Sequence, residues 1–241
     1  MSRANEALLE AQALSKHFGG TAALKAVSFS AAAGEIVGLI GPNGAGKTTL
    51  LNLLSGVLRP SSGKVLFRGQ DLSGLKTHAV ARMGIARTLQ TPRSFPSMTV
   101  LENVAVGSLF GSKSGGNDPQ KTLDLVGLGA RADSPMASLN LQERKNVELA
   151  RALAMAPRVV LIDEAMSGLN PTEIEDSMRL IRRVRDETGV AIIWVEHVVK
   201  AIMQVVERIV VLDFGEVIAD GSPAEIARNG AVIEAYLGKA A

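Results

Sequence analysis

Short apolar runs alternate with amphipathic stretches along most of the chain. Ile36-Val37-Gly38-Leu39-Ile40, Val159 to Ile162, Val190 to Val195 and Ile209 to Leu212 are continuous apolar runs of strand length, as expected of strands covered on both faces. The segments between them carry helical spacing. The first, Thr49 to Leu58, places Leu50, Leu53, Leu54 and Val57 on one face. Strands alternating with helices predict an α/β fold with a mostly parallel sheet. The first thirty-odd residues and Gly63 to Asp71 read differently, as strand-like pieces between glycine turns without a good helix. They predict a small antiparallel sheet packed beside the main one. From about Thr91 to Ser138 the strand pattern is lost and the chain reads as helices. One of these starts at Thr99, with Glu102 three residues on as a capping box. Gly111 to Gly116, followed by Asn117, Asp118 and Pro119, reads as a flexible polar connector.

The first apolar run leads directly into Gly41-Pro42-Asn43-Gly44-Ala45-Gly46-Lys47-Thr48-Thr49. Gly41, Gly46, Lys47 and Thr48 satisfy the phosphate-loop pattern G-x-x-x-x-G-K-[ST], and strand, loop and helix follow in the order that pattern requires. Glycines let backbone amides turn inward, Lys47 adds positive charge, and the helix start offers its dipole to an anion. A nucleoside triphosphate is the expected ligand, with the Thr48 hydroxyl on magnesium. Val159 to Ile162 ends in Asp163-Glu164, the layout needed to hold hydrated magnesium with Asp163 and to activate water with Glu164.

Composition narrows the classes. A chain of 241 residues, 46% hydrophobic and 21% charged, can bury a full core. It has no cysteine, which removes disulfides, thiolate metal sites and cysteine nucleophiles. A net charge of +2 with 3% aromatic residues is too little for the basic stripe and stacking platform of a nucleic-acid binder. No stretch approaches the roughly 20 apolar residues of a membrane span, and the N-terminus has no secretory pattern. The chain is therefore expected not to cross a membrane by itself.

Phe18, the phosphate loop, Gln90, a segment at Leu139, Asp163-Glu164, Ser167-Gly168-Leu169-Asn170 and His197, in this order and spacing, resemble the ATP-binding subunit of an ATP-binding cassette (ABC) transporter. The resemblance covers essentially the whole chain and implies one ABC ATP-binding domain over 1–241, with a helical subdomain over approximately 91–157. It also implies site roles. Phe18 would stack on adenine, and residues 41–49 would cradle the phosphates of ATP. Thr48, Gln90 and Asp163 would attend Mg2+. Glu164, His197, Gln90 and Lys47 would carry out hydrolysis. Residues around Gln90 to Met98 would lie near the coupling helices of a transmembrane permease. The implied place is the cytoplasmic face of the membrane, as a peripheral subunit.

The family's signature, usually Leu-Ser-Gly-Gly-Gln, contacts ATP held by a second ATPase subunit. Here the aligned stretch is Leu139-Asn140-Leu141-Gln142-Glu143, anchored by Glu148, Ala150, Arg151, Ala152 and Leu153. Asn140 to Glu143 keeps a capping box, so the helix start survives and Asn140 remains a candidate ATP contact. Leu141 and Gln142 replace glycines and hinder close approach of the backbone to a phosphate. Ala165 and Asn170 are smaller departures, standing where proline and aspartate are common.

Gly168-Leu169-Asn170-Pro171 and Ala231 to Gly238 resemble one branch, the ATPases of branched-chain amino-acid importers. There two different ATPases pair, with permeases and indirectly a periplasmic binding protein. An altered signature beside intact Lys47, Asp163, Glu164 and His197 then implies a non-identical partner and one dominant hydrolytic pocket. Urea and lipopolysaccharide systems carry similar ATPases. A non-transport ABC ATPase would usually show coiled-coil insertions or tandem cassettes, and a switch GTPase an Asn-Lys-x-Asp motif; this sequence has none of these.

Overall fold

The computed structural model describes residues 7–111 and 115–237. Residues 112–114 of the glycine-rich connector and Gly238 of the branch-like C-terminal segment lie outside them. In chain order the strands are β1 (Ala7–Phe18), β2 (Thr21–Ala32), β3 (Ile36–Ile40), β4 (Ser62–Phe67), β5 (Gln70–Asp71), β6 (Ile85–Arg87), β7 (Val159–Asp163), β8 (Ala191–Val195), β9 (Arg208–Asp213) and β10 (Glu216–Gly221). The helices are α1 (Lys47–Leu54), α2 (Thr77–Met83), α3 (Val100–Leu109), α4 (Pro119–Leu125), α5 (Leu141–Ala154), α6 (Pro171–Thr188), α7 (Val199–Ile202), α8 (Pro223–Ile226) and α9 (Gly230–Leu237).

Among the described residues these strands form two sheets. The larger has the order β10-β9-β3-β8-β7-β6 and is parallel except where β10 turns back along β9. The smaller, β2-β1-β4-β5, is antiparallel. Both follow from the sequence pattern: continuous apolar runs make strands covered on two faces, and glycine-punctuated pieces make hairpins.

Alternation along each central strand divides the interior in two. Ile36 and Ile40 of β3, Val160 and Ile162 of β7, Ile192 and Trp194 of β8, and Ile209 and Val211 of β9 pack against the helices that follow β6. Their neighbours Val37, Leu39, Val159, Leu161, Ile193, Val195, Val210 and Leu212 pack with α1 and the antiparallel sheet. The central sheet is thus a partition between a nucleotide-side core and a helical-side core.

Two sequence expectations need correction. The helix expected over Thr49 to Leu58 runs from Lys47 to Leu54. It starts earlier because Gly46, at φ 103, turns the chain straight into it. It stops because the Ser55 hydroxyl donates back to the Leu51 carbonyl at 2.7 Å and Gly56 enters the left-handed region at φ 70. Val57 is consequently 54% exposed rather than on the buried face. The helical reading from Thr91 also begins too early, because residues 91–99 form an irregular loop and α3 starts at Val100. Asn103, fully buried, shapes that loop by accepting from the Phe95 amide at 2.8 Å and donating to the carbonyls of Phe95 and Thr99. The Thr99 and Glu102 capping box forms as expected.

Candidate functional site

The phosphate-loop segment leaves the C-terminal end of β3, where open parallel sheets bind ligands. Gly41, at φ 151, lies so close to the Leu212 carbonyl that a Cβ would collide with it. At Gly46 a Cβ would meet the Ala23 carbonyl at 2.7 Å. These positions need glycine for both space and conformation. Lys47 is buried, and its ammonium donates to the carbonyls of Gly41 at 2.6 Å and Pro42 at 3.0 Å. Burial pulls its pKa down, and the carboxylates of Glu164 and Asp163 oppose that shift, so both acids lie within electrostatic reach of the loop.

A cleft is lined by Asn43 to Thr49 on one side and by Glu164 and His197 on the other. Glu164 directly follows β7. Its Oε1 lies 2.7 Å from Nε2 of His197, and its Oε2 accepts from Nε2 of Gln90 at 2.6 Å. Three loops distant in sequence therefore converge on one carboxylate: the ends of β6, β7 and β8 supply Gln90, Glu164 and His197. Asp163, the last residue of β7, is buried beside them. Its Oδ2 accepts from the Arg87 guanidinium at 2.9 Å, and Arg87 also donates to Asn52 of α1 at 2.6 Å.

Phe18 and Asn140 stand apart from this cluster. Phe18 ends β1 with its ring 49% exposed and the Lys16 ammonium 5.2 Å from the ring centre. Asn140 caps α5, accepting from the Glu143 amide at 2.8 Å while Glu143 accepts from the Asn140 amide at 2.9 Å. Leu141 packs on Gly168, its Cδ2 lying 3.2 Å from where a Cβ of that glycine would stand. Asn170 is the N-cap of α6, closing a capping box with Glu173.

Several supporting residues were given no role at the site by sequence reasoning. Arg87 is one. Glu148 of α5, buried, accepts from the Leu89 amide at 2.9 Å and so holds the strand end that carries Gln90. Glu196, buried beside His197, accepts from the Met166 amide at 2.7 Å, and burial pushes its pKa up. Lys145 of α5 donates to the carbonyls of Glu164 and Ser167. A charged residue inside an apolar stretch is the one signal that marks Glu196; charges on helices such as α5 look like solvated surface until the fold buries them. At the other end of the chain, Tyr236 of α9 comes near Gly41, and burial raises its hydroxyl pKa.

Comparison with known proteins agrees with this geometry. The family described as "ABC transporter" matches residues 24–167, and that described as "Branched-chain amino acid ATP-binding cassette transporter" matches residues 216–241. The high-affinity branched-chain amino acid transport ATP-binding protein LivG of Escherichia coli is 37% identical, covering 98% of this chain and 100% of that protein. The lipopolysaccharide export system ATP-binding protein LptB of Acidithiobacillus ferridurans is 38% identical over 96% of this chain and 97% of that protein. A crystal structure of the ADP conformation of an ATP-binding cassette of an ABC transporter superposes with a TM-score of 0.87 at 28% identity, covering 97% of this chain and 99% of that one. By its matched residues and its likeness over nearly the whole length, the chain belongs to the ABC transporter ATP-binding family, whose members bind and hydrolyse ATP.

Proposed function

We propose that this chain powers the import of branched-chain amino acids, and that Glu164 is the base of its ATP hydrolysis. The observation that carries the catalytic reading is the Glu164 carboxylate, held by His197 and Gln90 across the cleft from the phosphate loop. The substrate reading rests on the match of residues 216–241 to the branched-chain family and on full-length likeness to a branched-chain transport protein.

The amides and dipole of the Gly41 to Thr49 loop and α1 receive the phosphates of ATP. Lys47 exchanges the Gly41 and Pro42 carbonyls for phosphate oxygens. Glu164 takes a proton from the attacking water, and His197 and Gln90 fix the carboxylate and that water in line with the γ-phosphate. The Thr48 hydroxyl, the Gln90 amide and the Asp163 carboxylate are hard oxygen donors of the kind Mg2+ selects, and Asp163 lies within electrostatic reach of Lys47 in the loop. Bound there, the ion supplies neutralisation of phosphate charge. Phe18 offers an exposed ring for the adenine, and Asn140 a helix-capping amide toward a partner's nucleotide.

The expected assembly is a pair of non-identical ATPases beneath two transmembrane permeases, at the cytoplasmic membrane face and fed by a periplasmic binding protein. Among the described residues no helix is long and apolar enough to cross a membrane; in this reading the permeases carry the substrate path. The test is ATP turnover in vesicles holding this chain with the ATPase and permeases encoded beside it. Leucine-loaded binding protein is expected to stimulate turnover. Stimulation by lipopolysaccharide or urea instead, or none by any branched-chain amino acid, overturns the substrate reading.

A further inference from the structure

Glu164 sits in an unusual backbone conformation. Its φ is 52, in the left-handed region that a residue with a Cβ occupies only when its surroundings hold it there. Three main-chain hydrogen bonds meet it. Its amide donates to the Val195 carbonyl at 2.9 Å, and its carbonyl accepts from the Ser167 amide at 3.3 Å, closing a turn. The same carbonyl accepts from the Lys145 ammonium at 3.2 Å, and that ammonium also donates to the Ser167 carbonyl at 2.7 Å.

Lys145 therefore grips the first and last carbonyls of the Glu164 to Ser167 turn with a single group. It reaches them from α5, two residues past the altered Asn140 to Glu143 segment. That segment leans the same way. Leu141 packs on Gly168, and the Gln142 amide lies 3.4 Å from the Glu173 carbonyl. The side chains standing where the family has glycines thus join α5 to the loop that follows Glu164 and to the first turn of α6. Lys145 is drawn partly out of water to do this, and burial pulls its pKa down against the attraction of Glu196, Glu164 and Glu148.

We propose that Lys145 is a positioning residue for hydrolysis: its ammonium holds the Glu164 turn in the left-handed conformation that aims the carboxylate at the phosphate loop. This rests on the reading of Glu164 as the base. A methionine at 145 keeps the apolar stem but leaves the Ser167 carbonyl without its charged donor. An arginine has the length and charge to restore the grip.

The experiment compares Lys145→Met, Lys145→Arg and Glu164→Gln. Steady-state ATP turnover is measured in the assembled transporter; affinity for a fluorescent ATP analogue and the thermal midpoint are measured on the full chain. Lys145→Met is expected to lower kcat on the order of 10-fold or more, since a small misplacement of a catalytic group suffices for that. Its KM and analogue affinity should stay within about twofold of wild type, and Lys145→Arg should recover most of the rate. Wild-type kcat in Lys145→Met overturns the proposal. So does a parallel loss of kcat, analogue affinity and thermal midpoint, which is the mark of a structural role only. Glu164→Gln separates the levels. If it is inert while Lys145→Met is active, the fault lies with Lys145 alone; if it turns over normally, the reading of Glu164 and this proposal fall together.

Discussion

His197 Nε2 lies 2.7 Å from Oε1 of Glu164, so the loop after β8 reaches the acid just past the end of β7. A positioned acid–base partner contributes about 10²-fold or more to rate. His197→Ala should therefore lower kcat by about 10²-fold, with ATP affinity nearly unchanged because the phosphate loop is untouched. Single-turnover kinetics at saturating ATP read this directly; an unaltered rate would remove His197 from the reaction.

Arg87 and Asp163 form a buried ion pair at 2.9 Å with side-chain exposures of 12% and 5%. Removing one partner of such a pair leaves an uncompensated buried charge, at a cost of about 3–5 kcal/mol. Arg87→Met should lower unfolding free energy by about that amount in urea titrations, and Arg87→Lys by less. A change under about 1 kcal/mol in both would mean that solvent already screens the pair.

The altered signature makes a prediction in the direction of gain. Each charge-assisted hydrogen bond recovered by backbone approach is worth about 1.5–3 kcal/mol. Replacing Asn140, Leu141 and Gln142 by Ser, Gly and Gly should raise turnover at the pocket this segment completes on the order of 10-fold or more. The same change adds two glycines to the start of α5 and should lower stability by about 1–2 kcal/mol. Turnover in an assembly whose other pocket is silenced by a Glu→Gln change isolates the effect; no gain would show that side chains at these positions do not limit hydrolysis.

Glu196 carries the pH dependence. Burial raises its pKa against hydrogen bonds from Met166, His197 and Trp194. The folded state thus binds its proton more readily than the unfolded state. The stability it contributes is fully present below the unfolded value and is lost as pH rises through the folded one. Going from about pH 7.5 to about pH 5 should stabilise the wild type relative to Glu196→Gln. Urea midpoints of both at the two pH values check this, and an opposite trend would reverse the assignment.

The fold was legible in the sequence wherever its signal was local or came from burial on two faces. Ile36 to Ile40 and Val159 to Ile162 announced buried strands because a parallel sheet covered on both faces admits little but apolar side chains. The Thr99 and Asn140 caps were legible because a capping box is a local bond with fixed spacing. The end of α1 was not. Leu50 to Val57 keeps helical periodicity, and the Ser55 hydroxyl bond and the left-handed Gly56 end the helix inside it. The supporting shell was hidden for another reason. Lys145 and Glu148 sit on α5 among Arg144, Asn146 and Arg151, so their burial is set by the turn after β7 and the loop after β6, elements remote in sequence.

The sheet order also sets when the phosphate loop can exist. β3, which delivers Gly41, is hydrogen-bonded on one side to β8 and on the other to β9, and Gly41 lies against the carbonyl of Leu212. These contacts span most of the chain. A nascent chain still short of residue 208 carries the whole Gly41 to Thr49 motif and lacks a strand that shapes it. Contacts of such long range form late and slowly. Nucleotide binding therefore waits on residues far beyond the motif itself: the Gly41 to Thr49 loop takes its shape only once β9 has joined β3.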